Sequence, residues 1–220
     1  MGEEDWIVWL HMRDAGYYQE LAGSGQTHRN AQFGTYLDAV NFVIKAGGWV
    51  IRLGDPTATP LPKLDRVVDH ARSIYKSSSN DLYLIRNARY FVGTTSGLTN
   101  MAVSFGVPCA LVNCITTDAQ LWNSSVRFAM KTIEKDGKII LSQREITTAP
   151  HRWNIFAMES MKRENLVPIA NTSDEIFEIV KEIHLLSDGK NVSDSNLIKK
   201  WRATLGMPHF YGMATPSSYY

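Results

Sequence analysis

The segment Gly93-Thr94-Thr95-Ser96-Gly97 follows the apolar run Tyr90-Phe91-Val92 and precedes a helical pattern. A strand–turn–helix of this composition sets unpaired backbone N–H groups and the positive end of a helix dipole beside three hydroxyls, which makes a phosphate cradle. It is neither a Walker A loop nor a G-x-G-x-x-G turn. Plain N-capping after a tight turn needs only one hydroxyl and accounts for the segment equally well. His11-x-Arg13-Asp14 is a second candidate. Arg13 can grip a phosphate through two parallel N–H groups, a geometry lysine lacks. His11 can donate to the same group or orient a loop, and Asp14 can hold Arg13 or act as a base. The alternative is a structural Arg–Asp pair beside a core histidine. His28-Arg29-Asn30 forms another basic cluster, able to reach the same crevice or simply to lie in a solvated loop. Asp55, after Gly54, can cap the following turn or face a ribose, a base or an acceptor hydroxyl.

Other chemistries lack their residues. The 6 histidines are scattered, and no H-x-H, H-x-x-x-H, C-x-x-C or D-x-D occurs. The expectation is therefore no metal and no cofactor, with any nucleotide entering as substrate. The absence of a G-x-S-x-G elbow speaks against a serine hydrolase. Cys109 and Cys114 sit in or beside one apolar run and read as buried free thiols, in keeping with a reducing cytoplasm. Asn123, Asn171 and Asn191 begin N-x-[S/T] triplets, which matter only in a secreted eukaryotic protein.

The positioning elements follow from periodicity. Trp6–Leu10, Trp49–Leu53, Tyr90–Val92 and Cys109–Val112 read as buried strands, with Val67–Asp69 a shorter one. Thr35–Ala46 reads as a helix stopped by Gly47-Gly48, and Ser77–Asp81 as cap chemistry for a helix over about 81–87. Leu98, Met101, Ala102 and Phe105 mark one helix face, and Gln120–Thr132 is expected to be helical on the spacing of Trp122, Val126, Ala129 and Met130. Lys135–Lys138 is a turn. Helices are expected over 152–164 and from Thr172, where Thr172-Ser173-Asp174-Glu175 suits a capping box. Alternating strands and helices imply an α/β fold, a Rossmann-like parallel sheet with helices on both faces. Ligands of such sheets bind beyond the carboxyl ends of the strands, where His11, Arg13, Asp55, Asp69 and Thr94–Ser96 all fall.

The 220 residues are 44% hydrophobic and 20% charged, with a formal net charge of +1. That composition suits a soluble globular chain and gives no global field for nucleic acid or an anionic membrane. No apolar run is long enough to span a bilayer, and the acidic N-terminus is no signal peptide. The abrupt entry into a strand hints at an upstream domain encoded elsewhere. Residues 1–190 are read as one domain and 191–220 as a tail.

The motifs W-L-H-M-R-D, H-R-N-A-Q-F-G-T-Y-L-D-A-V, G-G-W-V-I-R-L-G-D-P-T-A-T-P-L-P, N-D-L-Y-L-I-R-N-A-R-Y-F-V-G-T-T-S-G-L and F-G-V-P, in this order, resemble a family of bacterial glycosyltransferases linked to surface-polysaccharide synthesis. The similarity runs from about residue 6 to 187. More distantly, the arrangement is similar to the donor half of fucosyltransferase-like GT-B enzymes. The resemblance implies transfer of a sugar from a nucleoside-diphosphate sugar to an acceptor hydroxyl, without metal, by a cytoplasmic protein at or near the inner membrane. It makes His11, Arg13, Thr94, Thr95 and Ser96 donor-phosphate ligands; together with Asp14, read from the residues as a holder of Arg13 or a base, His11 and Arg13 are the expected catalytic group. Gly93 and Gly97 would give backbone access, and Arg29, Asn30 and Asp55 complete the donor set. The implied partners are the donor, a glycan or lipid-linked acceptor and a separate acceptor-binding domain. A module that binds nucleotide or sugar without chemistry, or another α/β enzyme such as an epimerase or a phosphatase, remains the alternative.

Overall fold

The computed structural model describes residues 5–14, 30–115, 124–147, 151, 158–190, 195–204 and 215–217. Its main sheet has 7 strands, all parallel. They are β1 (Ile7–His11), β2 (Trp49–Leu53), β3 (Val67–Asp69), β4 (Tyr90–Gly93), β5 (Cys109–Cys114), β6 (Val126–Met130) and β10 (Thr215–Pro216). The spatial order is β10-β6-β5-β4-β1-β2-β3. Chain direction across the sheet reverses between β1 and β4, so the switch point of a doubly wound fold lies there.

Alternate residues feed two cores. Ile7, Trp9, Ile51, Leu53, Phe91, Cys109, Leu111, Val126 and Phe128 point to one face, where Ile85 of α2 (Ser78–Arg86) and Ala102 and Val103 of α3 (Gly97–Ser104) cover them. Val8, Leu10, Val50, Tyr90, Val92, Ala110 and Ala129 point to the other, under α1 (Leu37–Lys45) and a long helix, Ser173–Ser187. A strand buried on both faces must be apolar throughout, which is why these runs do not alternate with polar residues. The long helix starts as expected. Thr172 accepts from the Glu175 N–H while the Glu175 carboxylate accepts from the Thr172 N–H, closing a capping box.

Two expectations are corrected. Residues 126–130 form β6, not a helix. Val126, Phe128 and Met130 enter one core while Arg127 faces the other side and pairs with Glu182 of the long helix at 3.1 Å, both buried. On α3 the buried face is Thr99–Ala102–Val103, and Met101 and Phe105 are exposed. Beyond β6 the chain adds a small antiparallel sheet, β8-β7-β9, from β7 (Thr132–Lys135), β8 (Ile139–Ile140) and β9 (Leu166–Ile169). Its β7–β8 turn uses Asp136 and Gly137 at φ 53° and 70°, the left-handed pair a tight hairpin requires.

The other helices are α4 (Gln143–Thr147), α5 (Met158–Arg163), the long helix, now α6, and α7 (Ser195–Thr204). Residues 152–157 of the expected 152–164 helix lie outside the described residues. The end of the expected tail supplies β10, and Ser217 Oγ donates to Glu182 at 2.8 Å. Asn171 is 3% exposed and clasped with Asn113, each backbone N–H donating to the other's side-chain oxygen, so its N-x-[S/T] triplet is closed to modification. Cys109 and Cys114 are buried and free, and burial pushes the Cys109 thiol pKa up.

Gly93 pairs with His11 across β4 and β1, and a Cβ there would lie 2.3 Å from the His11 carbonyl oxygen. Gly97 has nothing within 4 Å of the same position. Gly93→Ala should therefore lose about 1–3 kcal/mol or more of stability, because the obstacle is backbone. Gly97→Ala, in the first turn of a helix, should be neutral or gain up to about 1 kcal/mol. Urea unfolding of the two variants checks the contrast, and equal stabilities would contradict it.

Candidate functional site

At the carboxyl end of the sheet, beside the β1/β4 switch, lies a cleft of about 590 Å³. His11, Met12, Arg13 and Asp14 reach it from the end of β1, and Gly54, Asp55, Pro56 and Ala58 from the loop after β2. Ser96, Gly97, Leu98 and Met101 come from the start of α3, and Lys76, Ser78, Asp81, Leu82 and Ile85 from α2 and its approach. Two stretches far apart in sequence, 11–14 and 96–98, thus meet as the strand ends required.

Each polar group has a local cause. His11 Nδ1 lies 3.3 Å from the Leu53 carbonyl, which can only accept, so Nδ1 is the donor in that contact. Asp14 accepts from the Thr59 N–H at 2.6 Å and ties the Pro-rich loop to the rim. Arg13 presents its carbonyl to the Ala31 N–H at 2.9 Å. Ser96 is the N-cap of α3: its Oγ accepts from the Thr99 N–H at 3.3 Å. The Thr99 hydroxyl donates in turn to the Thr94 carbonyl at 2.9 Å, so the Ser96 proton can go only to Thr99 Oγ1, 3.3 Å away, or into the cleft. The Asn100 N–H goes to the Ser96 carbonyl. The N–H groups of Gly97 and Leu98 are the first two of the helix, which an α-helix cannot satisfy internally.

Of the other expected residues, Asp55 lines the cleft, while Gly93, Thr94, Thr95 and Asn30 do not. Gly93 is inside the sheet, where its missing side chain lets β1 and β4 approach. Thr94 and Thr95 are 1% and 8% exposed and do not line the cleft, and Thr94 Oγ1 is buried without a partner among the described residues. Asn30 does not line the cleft, and its backbone carbonyl accepts from the buried Lys131 ammonium at 3.1 Å. Burial lowers the pKa of that lysine. Arg29 and His28 lie outside the described residues. Asp55 caps its own turn, accepting from the Thr57 hydroxyl at 2.6 Å and the Thr57 N–H at 2.9 Å. Asp69 makes a two-pronged ion pair with the buried Arg52, at 2.7 and 2.8 Å. Lys76 and Asp81, by contrast, carried no motif. Their neighbours Ser77–Asp81 read as helix capping, which Ser77 does perform for Asn80.

The fold and site define a doubly wound α/β domain with a crevice at its switch point. No protein-family model and no curated protein matches the chain. Two solved structures are similar in fold. One is the dodecameric iron-containing heptosyltransferase TibC in complex with ADP-D-β-D-heptose, 12% identical, with a TM-score of 0.44 over 83% of this chain and 46% of that one. The other is the iron-containing dodecameric glycosyltransferase TibC from enterotoxigenic E. coli, also 12% identical, with a TM-score of 0.44 over 81% and 45%. This chain spans less than half the length of either. Because both are described as iron-containing, the expectation of an activity without cofactor or metal is withdrawn. The described residues contain no group of three or more His, Cys, Asp or Glu side chains placed to hold a metal ion, and no step below is routed through iron. Among them, too, no helix is long and apolar enough to cross a membrane.

The Asp55 carboxyl is held below its ordinary pKa, chiefly by the Thr57 hydroxyl, then by the Thr57 N–H, with a smaller contribution from Lys76. A depressed folded-state pKa adds stability above the unfolded value, about 3.9, and that stability is lost as pH falls through the folded one. Thr57→Val should move the Asp55 midpoint upward, measured by carbon NMR of the carboxyl. An unmoved midpoint would remove the Thr57 hydroxyl as its main cause.

Proposed function

We propose that the cleft holds the diphosphate of a nucleoside-diphosphate sugar and that this chain is the donor-binding domain of a GT-B-type glycosyltransferase serving bacterial surface-glycan synthesis. The observation that carries the reading is the convergence of His11, Arg13, Ser96 and the Gly97 and Leu98 N–H groups on one crevice at the switch point. A leaving diphosphate gains negative charge as the glycosidic bond breaks. Preorganised donors aimed at that charge lower the barrier without having to reorganise. Arg13 supplies a planar guanidinium that can bridge two phosphate oxygens. His11 adds Nε2, which donates only when the ring is protonated. The α3 start adds two backbone donors and the Ser96 hydroxyl. Under this reading Asp14 sets the rim by holding Thr59, and Asp55 shapes the loop beside it. The acceptor, a glycan or lipid-linked hydroxyl, is brought by a separate domain.

The test is a thermal-shift panel of UDP-, GDP-, ADP-, CMP- and dTDP-sugars on the wild type and on Arg13→Ala, followed by a transfer assay with any donor that binds. A ligand at 100 times its Kd adds about 2.7 kcal/mol of stability, a readily visible shift. Arg13→Ala should fold normally, lose most of that shift and lose roughly 10²–10³ in turnover. Wild-type turnover in a folded Arg13→Ala protein would overturn the assignment. Binding without turnover in the presence of acceptor would make the chain a binding module.

A further inference from the structure

The α2 wall of the cleft carries a cation that no motif announced. Lys76 lies in the link leading into α2 and lines the cleft, its side chain 24% exposed. Its ammonium donates to Asp81, a carboxylate of α2 that is 11% exposed and also lines the cleft. Asp81 is also 3.3 Å from His70 Nε2, and His70 Nδ1 is 3.2 Å from Ser73 Oγ. The Asp81 carboxylate, held by His70 as well, thus anchors the lysine at the α2 wall. An ammonium has three N–H donors, and one is directed to Asp81. Lys76 and Asp55 both line the cleft.

We propose that Lys76 is a phosphate-binding residue of the cleft, held by Asp81 so that it meets the diphosphate from the α2 wall while Arg13 meets it from the β1 exit. This deepens the donor-site reading and rests on it for the identity of the ligand, but not for the anion chemistry. A diphosphate carries negatively charged oxygens on both phosphorus atoms. A fork on one side and a point charge on the other would fix its orientation as well as its charge. The role is binding. The resting ion pair costs little to rearrange, because the anion takes up donors of Lys76 other than the one Asp81 holds.

Calorimetric titrations with inorganic pyrophosphate and with the best nucleoside diphosphate, on the wild type, Lys76→Ala and Lys76→Arg, test it. Lys76→Ala should weaken both ligands about tenfold to a hundredfold, the value of one charge-assisted bond, and make binding less steeply salt-dependent. Lys76→Arg should recover much of the loss, and a neutral nucleoside should bind all three proteins alike. Asp81→Asn, which keeps Lys76 but not its anchor, guards against a fold defect and should lie between them. Unchanged pyrophosphate affinity in folded Lys76→Ala overturns the proposal while leaving the donor reading in place if the nucleotide binds. Lysine-dependent pyrophosphate binding with no nucleotide binding upholds the proposal and overturns the donor reading. Binding of neither ligand by the wild type overturns both.

Discussion

The cleft depends on one close approach. At the switch point β4 must come near enough to β1 for the His11 carbonyl to accept the Thr94 N–H, at 3.1 Å. That leaves no room for a side chain at position 93. A glycine at the last residue of β4 therefore couples two otherwise independent segments. One is the β1 exit with His11, Met12 and Arg13. The other is the turn that delivers Ser96 and the first N–H groups of α3. A side chain there would force the strand ends apart, and the separation would fall between the guanidinium and the helix terminus, the two groups proposed to address one ligand. The demand for glycine comes from the sheet, and its functional consequence is indirect.

The rim on the other side is held by a different device. Arg52 and Asp69 are paired in register on β2 and β3, and their ion pair also reaches the Thr59 carbonyl and the Leu61 N–H. Arg72 donates to the Pro56 and Ala58 carbonyls, and Asp14 accepts from Thr59. A Pro-rich loop has few N–H groups and cannot build a ladder of its own, so charged side chains satisfy its backbone instead. A buried ion pair is a poor source of net stability. Its work here is positional, because the loop it pins is the wall against which Asp55 and Ala58 face the cleft.

What the sequence reveals follows the distance over which its causes act. The strands of the first half and the α6 capping box were legible because each signal is local: an apolar run with a turn, or four adjacent residues. The strand-end rule then brought His11, Arg13 and Ser96 together correctly. The failures are non-local. Arg127 breaks an apolar run, and a polar residue there suggests a solvated helix face. Its partner Glu182 lies 55 residues away and is what makes a buried strand position tolerable. Thr94 and Thr95 looked like ligands because composition does not say which of three consecutive hydroxyls a tight turn directs outward. Lys76 was invisible for the same reason, since nothing beside it in the chain marks the cleft across which it acts.

Charge counting alone would not draw an anion into this cleft. Arg13 and Lys76 are its permanent cations, against the carboxylates of Asp14, Asp55 and Asp81. The distinction is directional. Asp14 accepts from Thr59, Asp55 from Thr57, and Asp81 from Lys76, so each carboxylate is engaged by the protein itself. The guanidinium, the helix N–H groups and the capped serine hydroxyl are donors at the crevice. A cleft arranged in this way gains little from long-range steering, which follows net charge, and much from short-range hydrogen bonds, which follow geometry. On the proposed reading, an anion that reaches both the α3 terminus and Lys76 engages more donors than one that meets a single wall, which favours a diphosphate over a single phosphate against the nearby carboxylates.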